Sequence, residues 1–168
     1  MATSPRVAMR AVRNLFGTVI PRVQVPEAAS LAATVKRGAP CVSTSGYVAE
    51  CGTDPALILG LLGQDGQNGT AAGDKLQVVE VAMPGVLFMG NLSNGADSAA
   101  GAATDRWKAY GILKDATSAT WFVDTGETTN DRVVIWEFWL QDGEVLTDTR
   151  TRVVFQFDPI YCQGNAVD

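Results

Sequence analysis

From residue 36 onward, apolar residues fall in short runs, each closed by a turn signal: Ser45-Gly46, Asp65-Gly66, Asn68-Gly69, Ala72-Gly73, Pro84-Gly85, Asn94-Gly95, Thr125-Gly126 and Asp142-Gly143. Runs of this length and spacing predict strands over residues 41–43, 47–50, 57–61, 76–83, 86–92, 110–113, 120–123, 132–140 and 151–157. Nine short strands with turns at such regular intervals predict an all-β body, a single compact barrel or sandwich. Over 151–157, Val153, Phe155 and Phe157 alternate with Arg152 and Gln156, as in a half-buried strand. Over 132–140, Val134, Trp136, Phe138 and Leu140 share one face, and Val133, Ile135 and Trp139 share the other, broken by Glu137. A strand apolar on both sides lies between two layers or turns one side to another subunit.

The pattern before residue 36 is different. Val7, Ala8, Ala11, Val12, Leu15 and Phe16 repeat at helical spacing, with Arg6, Arg10 and Arg13 toward the other side. This predicts a short amphipathic helix over 6–16, stopped by Gly17. Pro21 and Pro26 keep the following stretch extended, and Val19, Val23 and Val25 alternate along it. So short a helix is marginal alone and needs a surface to lie on. The chain thus divides into an extended N-terminal arm, residues 1–35, and a β body, residues 36–168, with linker-like composition around 24–33.

Charge follows the same division. Residues 1–40 carry six basic residues, Arg6, Arg10, Arg13, Arg22, Lys36 and Arg37, against the single acid Glu27. The rest carries seven basic residues against seventeen acidic ones. An acidic body argues against direct nucleic-acid binding by that part. Only 18% of residues are charged while 46% are hydrophobic. Such a chain can fill a core and still has apolar surface to hide, which favours an oligomer or docking on a larger partner. The longest apolar stretches, 56–62 and 133–140, fall far short of the ~20 residues that span a bilayer, so no membrane partner is expected.

Candidate chemistry is sparse. With no histidine, Ser-His and Cys-His catalysis and His-ligated zinc are excluded. Cys41, Cys51 and Cys162 are too few for a disulfide framework or a thiolate zinc site. Cys41 and Cys51 flank the Ser45-Gly46 turn; a three-residue turn sets them opposite one another, and a two-residue turn sets them on different faces. Asp124, Glu127 and Asp131 cluster near Thr125-Gly126, with Asp74 and Asp115 in other loops. They could hold a cation or run carboxylate chemistry, yet turns collect Asp for backbone reasons alone. Residues 60–69 (GLLGQDGQNG) are glycine-rich but lack the Lys-Ser/Thr of a phosphate loop, and read as a hairpin tip. Arg106-Trp107-Lys108 is the one basic-aromatic triplet of the body. Residues 95–104 (GADSAAGAAT) read as a helical turn or a mobile docking loop. No cofactor is implied, and an enzyme is not expected.

The N-terminal segment has several readings. An Arg-rich, acid-poor amphipathic stretch resembles a mitochondrial presequence, or a helix lying on an anionic membrane. It also suits docking into a groove, or adding a strand to a sheet, on a protein partner.

Lys36-Arg37-Gly38-Ala39-Pro40 followed by the hairpin Ser45-Gly46-Tyr47-Val48 is similar to the opening of the small capsid decoration, or cement, proteins of tailed bacteriophages. So are Ile58-Leu59-Gly60 before a turn, the segment from Ala82 through Pro84 and Phe88 to Leu92, Tyr110-Gly111-Ile112, and the closing Arg152-Val153-Val154-Phe155. The resemblance covers roughly residues 36–158 and implies a non-enzymatic β fold of the β-tulip type that forms a homotrimer. It further implies a place on the outer surface of an icosahedral virion, assembled in the host cytoplasm, where the trimer stabilises the shell by bridging subunits of the major capsid protein. On this reading Arg6, Val7, Arg10, Val12, Arg13, Leu15, Phe16, Val19, Arg22 and Val23 form the capsid-binding arm. Trp107, Tyr110, Trp136 and Trp139 would lie at the trimer interface. The alternatives are another virion β subunit, such as a head fibre or tail component, or a carboxylate- or metal-dependent β enzyme using Asp124, Glu127 and Asp131.

Overall fold

Eleven strands make up nearly all the regular structure in the computed structural model, which describes residues 6–29, 31–95 and 100–163. They are β1 (Arg10–Asn14), β2 (Arg22–Pro26), β3 (Pro40–Thr44), β4 (Tyr47–Glu50), β5 (Gly60–Leu62), β6 (Leu76–Val81), β7 (Val86–Ser93), β8 (Ala109–Lys114), β9 (Trp121–Asp124), β10 (Val133–Phe138) and β11 (Arg152–Phe157). The fold is all-β, and each strand expected from the apolar runs is present within a few residues of its expected span. The last three strands expected before residue 100 and the four after it differ only at their ends.

Two sheets organise the chain. In the first, β7, β11, β10, β8 and β9 pair in that order, and β9 returns to β7 in parallel through Leu92–Val123 and Ser93–Asp124, closing a five-stranded barrel. The second has the order β2-β6-β5-β3-β4, and its two edges meet at a parallel bridge between Glu27 and Val48. Closure removes most free edges, the main aggregation hazard of a β protein. A shared core lies between and within the sheets, with Phe88, Phe155 and Phe157 stacked edge and face at 5.1–6.0 Å.

The helix expected over 6–16 is not there; that segment contains β1, and no described helix reaches seven residues. β1 runs antiparallel to β7, pairing Arg10 with Met89 and Asn14 with Val86. The reason is tertiary. All eight residues of β7 are buried, and its first half would otherwise leave unpaired backbone groups beside the β9 junction. Against that demand, the helical spacing of a few alanines and valines in a short window carries little weight. Val12 is the extra residue of a β-bulge between Ala11 and Arg13, and bulges of this kind corrupt any period read from sequence.

The described part of residues 1–35 is therefore woven into the fold. β1 lies in the first sheet and β2 in the second, and Met9, Leu31 and Val35 are core residues. Gly38, at φ +85°, packs so closely on Met9 that a Cβ there would stand 2.5 Å from the Met9 carbonyl oxygen. The other end of the chain crosses over in return. The Gln163 side-chain amide donates to the Ser43 carbonyl of β3 at 2.6 Å and accepts the Ser43 N–H at 2.8 Å, and Cys162 forms a parallel bridge with Ile58. β1 thus joins the sheet built from the second half of the chain, and Cys162 and Gln163 tie onto the sheet built from the first half.

Carboxylates reinforce these ties. Glu80 of β6 accepts the Ala11 backbone N–H of β1 at 2.7 Å and the Arg22 guanidinium of β2 at 2.9 Å. Glu50 of β4 accepts Lys114 Nζ of β8 at 2.7 Å and the Trp121 indole N–H of β9 at 2.9 Å. Arg132 donates from Nε to the Pro55 carbonyl at 2.7 Å, with Tyr161 stacked on its guanidinium.

Two readings of strand faces are corrected. β11 is not half-buried, because Arg152 is buried and paired with Glu144 at 2.7 Å. In β10 a bulge makes Trp136 the extra residue, so Ile135 opposes Phe155 and Glu137 opposes Val154. The bulge exchanges the faces, and Phe138 packs against the core rather than sharing a face with Trp136. At the Ser45-Gly46 hairpin both residues have positive φ, giving a two-residue turn that sets Cys41 opposite Glu50. All three cysteines are free and buried.

Candidate docking surfaces

The bulge in β10 and an irregular residue before β8 together build an aromatic ledge. Trp107 holds a left-handed backbone conformation, φ +65°, while its N–H donates to the Ile135 carbonyl at 2.7 Å. A bulky residue in that region carries a cost of about 1–3 kcal/mol, and the flanking ladder bonds hold it there. The conformation places the indole 5.0 Å from that of Trp136, edge to face, with 65% of Trp107 exposed. Arg106 lies over the Phe138 ring at 5.6 Å, and Trp139 and Leu140 continue the exposed apolar line past the end of β10. Of the four aromatics assigned to an interface, Trp107 and Trp136 meet, and Trp139 is exposed. Tyr110 is elsewhere: it is buried, its hydroxyl donates to Asp105 at 2.8 Å, and burial first and Asp105 second push its pKa up to about 12.

A second apolar surface lies where the chain passes between the sheets. Residues 15–21 carry it from β1 to β2, and residues 82–85 carry it back from β6 to β7. The two connectors run side by side, tied by the Leu15 N–H to the Gly85 carbonyl at 2.8 Å. Phe16 covers Gly85 and remains 73% exposed, and Val19 is 89% exposed. With Pro21 and Met83 they line a shallow apolar cleft of about 220 Å³. Leu15 and Val23 are also exposed, whereas Val7 is half-buried and donates its N–H to the Asn91 side chain.

The basic residues divide into two groups. Arg6 pairs with Asp115 at 3.4 Å, Arg13 with Glu137 at 2.9 Å, Arg22 with Glu80 at 2.9 Å and Lys36 with Asp65 at 3.1 Å. The charge division along the chain is thus largely met inside the molecule; the two pairs exposed on both sides, Arg13–Glu137 and Lys36–Asp65, are each worth about 0–1 kcal/mol. The guanidinium groups of Arg10 and Arg37 have no hydrogen-bond or ion-pair partner among the described residues.

The loop carboxylates serve their own turns. Asp124 accepts the Gly126 N–H, and Glu127 accepts the N–H groups of Thr129 and Asn130, which hold its pKa below the usual range. Among the described residues, no three Cys, Asp or Glu side chains gather as a metal site. Residues 96–99 of the small-residue loop lie outside the described residues; beyond them the loop closes as a single 3-10 turn at Ala103–Asp105.

No family model, no curated protein and no solved structure is detectably similar to this chain. What the surface offers is therefore read from its own residues. Sequence reasoning missed Met83, which faces solvent beside Phe16, and Arg37, which sits beside Arg10. The available signals were the apolar residue directly before Pro84-Gly85 and the lack of any acid near Arg37 in sequence.

Proposed function

We propose that this chain is a virion structural protein, a trimeric decoration subunit that binds the outer surface of a phage capsid and stabilises it by bridging major capsid protein subunits. The observation that carries the reading is Trp107, a bulky residue held at positive φ with its ring mostly in solvent and braced by Trp136. Strain spent on displaying an aromatic side chain is better explained by a partner than by the stability of the lone subunit. The Phe16–Val19–Met83 cleft supplies a second apolar contact, and two such surfaces suit a subunit that meets its own copies on one side and a shell on the other.

On this reading the arm residues act from a rigid edge of the fold and not from a free tether. Docking then needs little ordering of the chain, which lowers its entropic cost. The test is co-sedimentation with capsids that lack the protein. Wild type should bind; Phe16→Ser with Val19→Ser should bind at least about tenfold more weakly, as expected for loss of hot-spot contacts, while remaining folded. Equal binding by both would overturn the assignment of that edge to the capsid.

A further inference from the structure

The six basic residues of the N-terminal forty pose a question once their partners are known. Four are neutralised within the molecule, and the two that are not, Arg10 and Arg37, lie side by side. Two adjoining concavities of about 370 and 260 Å³ share both of them. Their proximity is built in, because the close packing of Gly38 on Met9 fixes the loop that carries Arg37 against the start of β1. The larger concavity is also lined by Ala11, Val12, Trp139, Arg22 and Glu80. Glu80 accepts the Ala11 N–H and the Arg22 guanidinium, and three guanidiniums, those of Arg10, Arg22 and Arg37, line the groove against this one carboxylate.

We propose that this groove receives an acidic peptide segment of the protein's docking partner, with carboxylates on Arg10 and Arg37 and the adjoining aliphatic portion against Trp139. Two unpaired guanidiniums lining one groove, beside an indole and the side chains of Ala11 and Val12, suit the carboxylates and aliphatic stems of an acidic peptide. A nucleic acid fits less well. The chain beyond residue 40 holds ten more acidic than basic residues, seventeen against seven. A long polyanion leaving the groove would be repelled by it, whereas a short acidic segment need not extend beyond the arginines. The inference depends on the proposed function only for naming that partner as the capsid subunit; the preference for carboxylates stands on the groove itself.

The probe is fluorescein-labelled hexaglutamate, titrated with the full-length protein and followed by anisotropy. Saturable binding is expected at about 50 mM salt and weaker binding at about 300 mM, as for exposed charges. Arg10→Ala and Arg37→Ala should each weaken it about tenfold, and the doubly Lys-substituted protein should recover part of the loss. Neither guanidinium holds a structural partner, so the variants should melt at the wild-type temperature. Absence of saturable binding, or binding indifferent to both arginines, overturns the proposal. Tighter binding of hexathymidylate than of hexaglutamate overturns it in favour of nucleic acid. Arginine-dependent hexaglutamate binding by a protein that does not co-sediment with capsids would uphold the groove while rejecting the capsid reading.

Discussion

Glu80 reaches across from the second sheet to accept the Ala11 backbone N–H of the first at 2.7 Å, and the same carboxylate holds Arg22. One buried side chain thereby fixes β1, β2 and β6 relative to one another. Glu80→Ala leaves the Ala11 N–H and the Arg22 guanidinium without their acceptor, and should lower stability by about 2–4 kcal/mol in urea denaturation. Glu80→Gln keeps the shape and one acceptor, and should cost less. Equal stability of all three proteins would show that the sheets are joined without it.

Gly38→Ala should be poorly tolerated. It adds a Cβ 2.5 Å from the Met9 carbonyl at a position with φ +85°, so both sterics and conformation oppose it. A loss of about 2–4 kcal/mol is expected, readable as a lower urea midpoint. Removal of residues 1–30 should be worse still, because it deletes β1, β2 and the core residue Met9. Recovery of a folded, soluble protein from that deletion would contradict the woven topology.

How much of this was legible beforehand depends on the residue. The strands after residue 36 were readable because alternation and Gly-containing turns are local signals. β1 was not, since its status depends on β7, more than seventy residues away, and a bulge at Val12 makes its short pattern fit a helical period. The bulge at Trp136 misled in the same way, sending Phe138 to the wrong face. Trp107 could be singled out as an aromatic between two basic residues, but not its positive φ, which comes from the ladder bonds around Ile135. Tyr110 was placed with it because hydrophobic pattern alone does not distinguish an aromatic that finds Asp105 inside from one that stays outside.

Replacing Trp107 separates display from stability. Trp107→Gly relieves the left-handed conformation and removes one aromatic contact, effects of similar size and opposite sign. The isolated chain should stay within about 1 kcal/mol of wild type, while sedimentation velocity should show the proposed trimer for wild type and smaller species for the variant. A variant that unfolds, or one that remains fully trimeric, contradicts the role given to this residue.

The thiols should be silent in the native state. Burial raises Cys41 well above its ordinary pKa, Cys51 to about 12 and Cys162 to about 11. Because the folded values lie above the unfolded ones, their contribution to stability is whole below the unfolded thiol pKa of about 8.5 and is lost as pH rises beyond it. Ellman's reagent at neutral pH should titrate no thiol until denaturant is added, and then all three. Rapid reaction of the native protein would contradict the burial.

Acid should act through the loop carboxylates. Asp115 is held below its ordinary pKa by the Ser118 hydroxyl, the Ser118 N–H and Arg6, and Asp65 by the Arg37 N–H and Lys36. Depressed folded values mean that their stabilisation is present above the unfolded pKa, about 4, and fades as pH falls below it. The urea midpoint should therefore hold from pH 7 to about 5 and then decline; a rise on acidification would contradict these assignments.

The most direct test of the proposed function is cryo-electron microscopy of phage particles assembled in cells that produce this protein. The expected result is a trimeric density on the outer surface of the shell, with Trp107 between copies and the Phe16–Met83 edge against the capsid. Density in the tail or a fibre, or a shell without this chain, would contradict it.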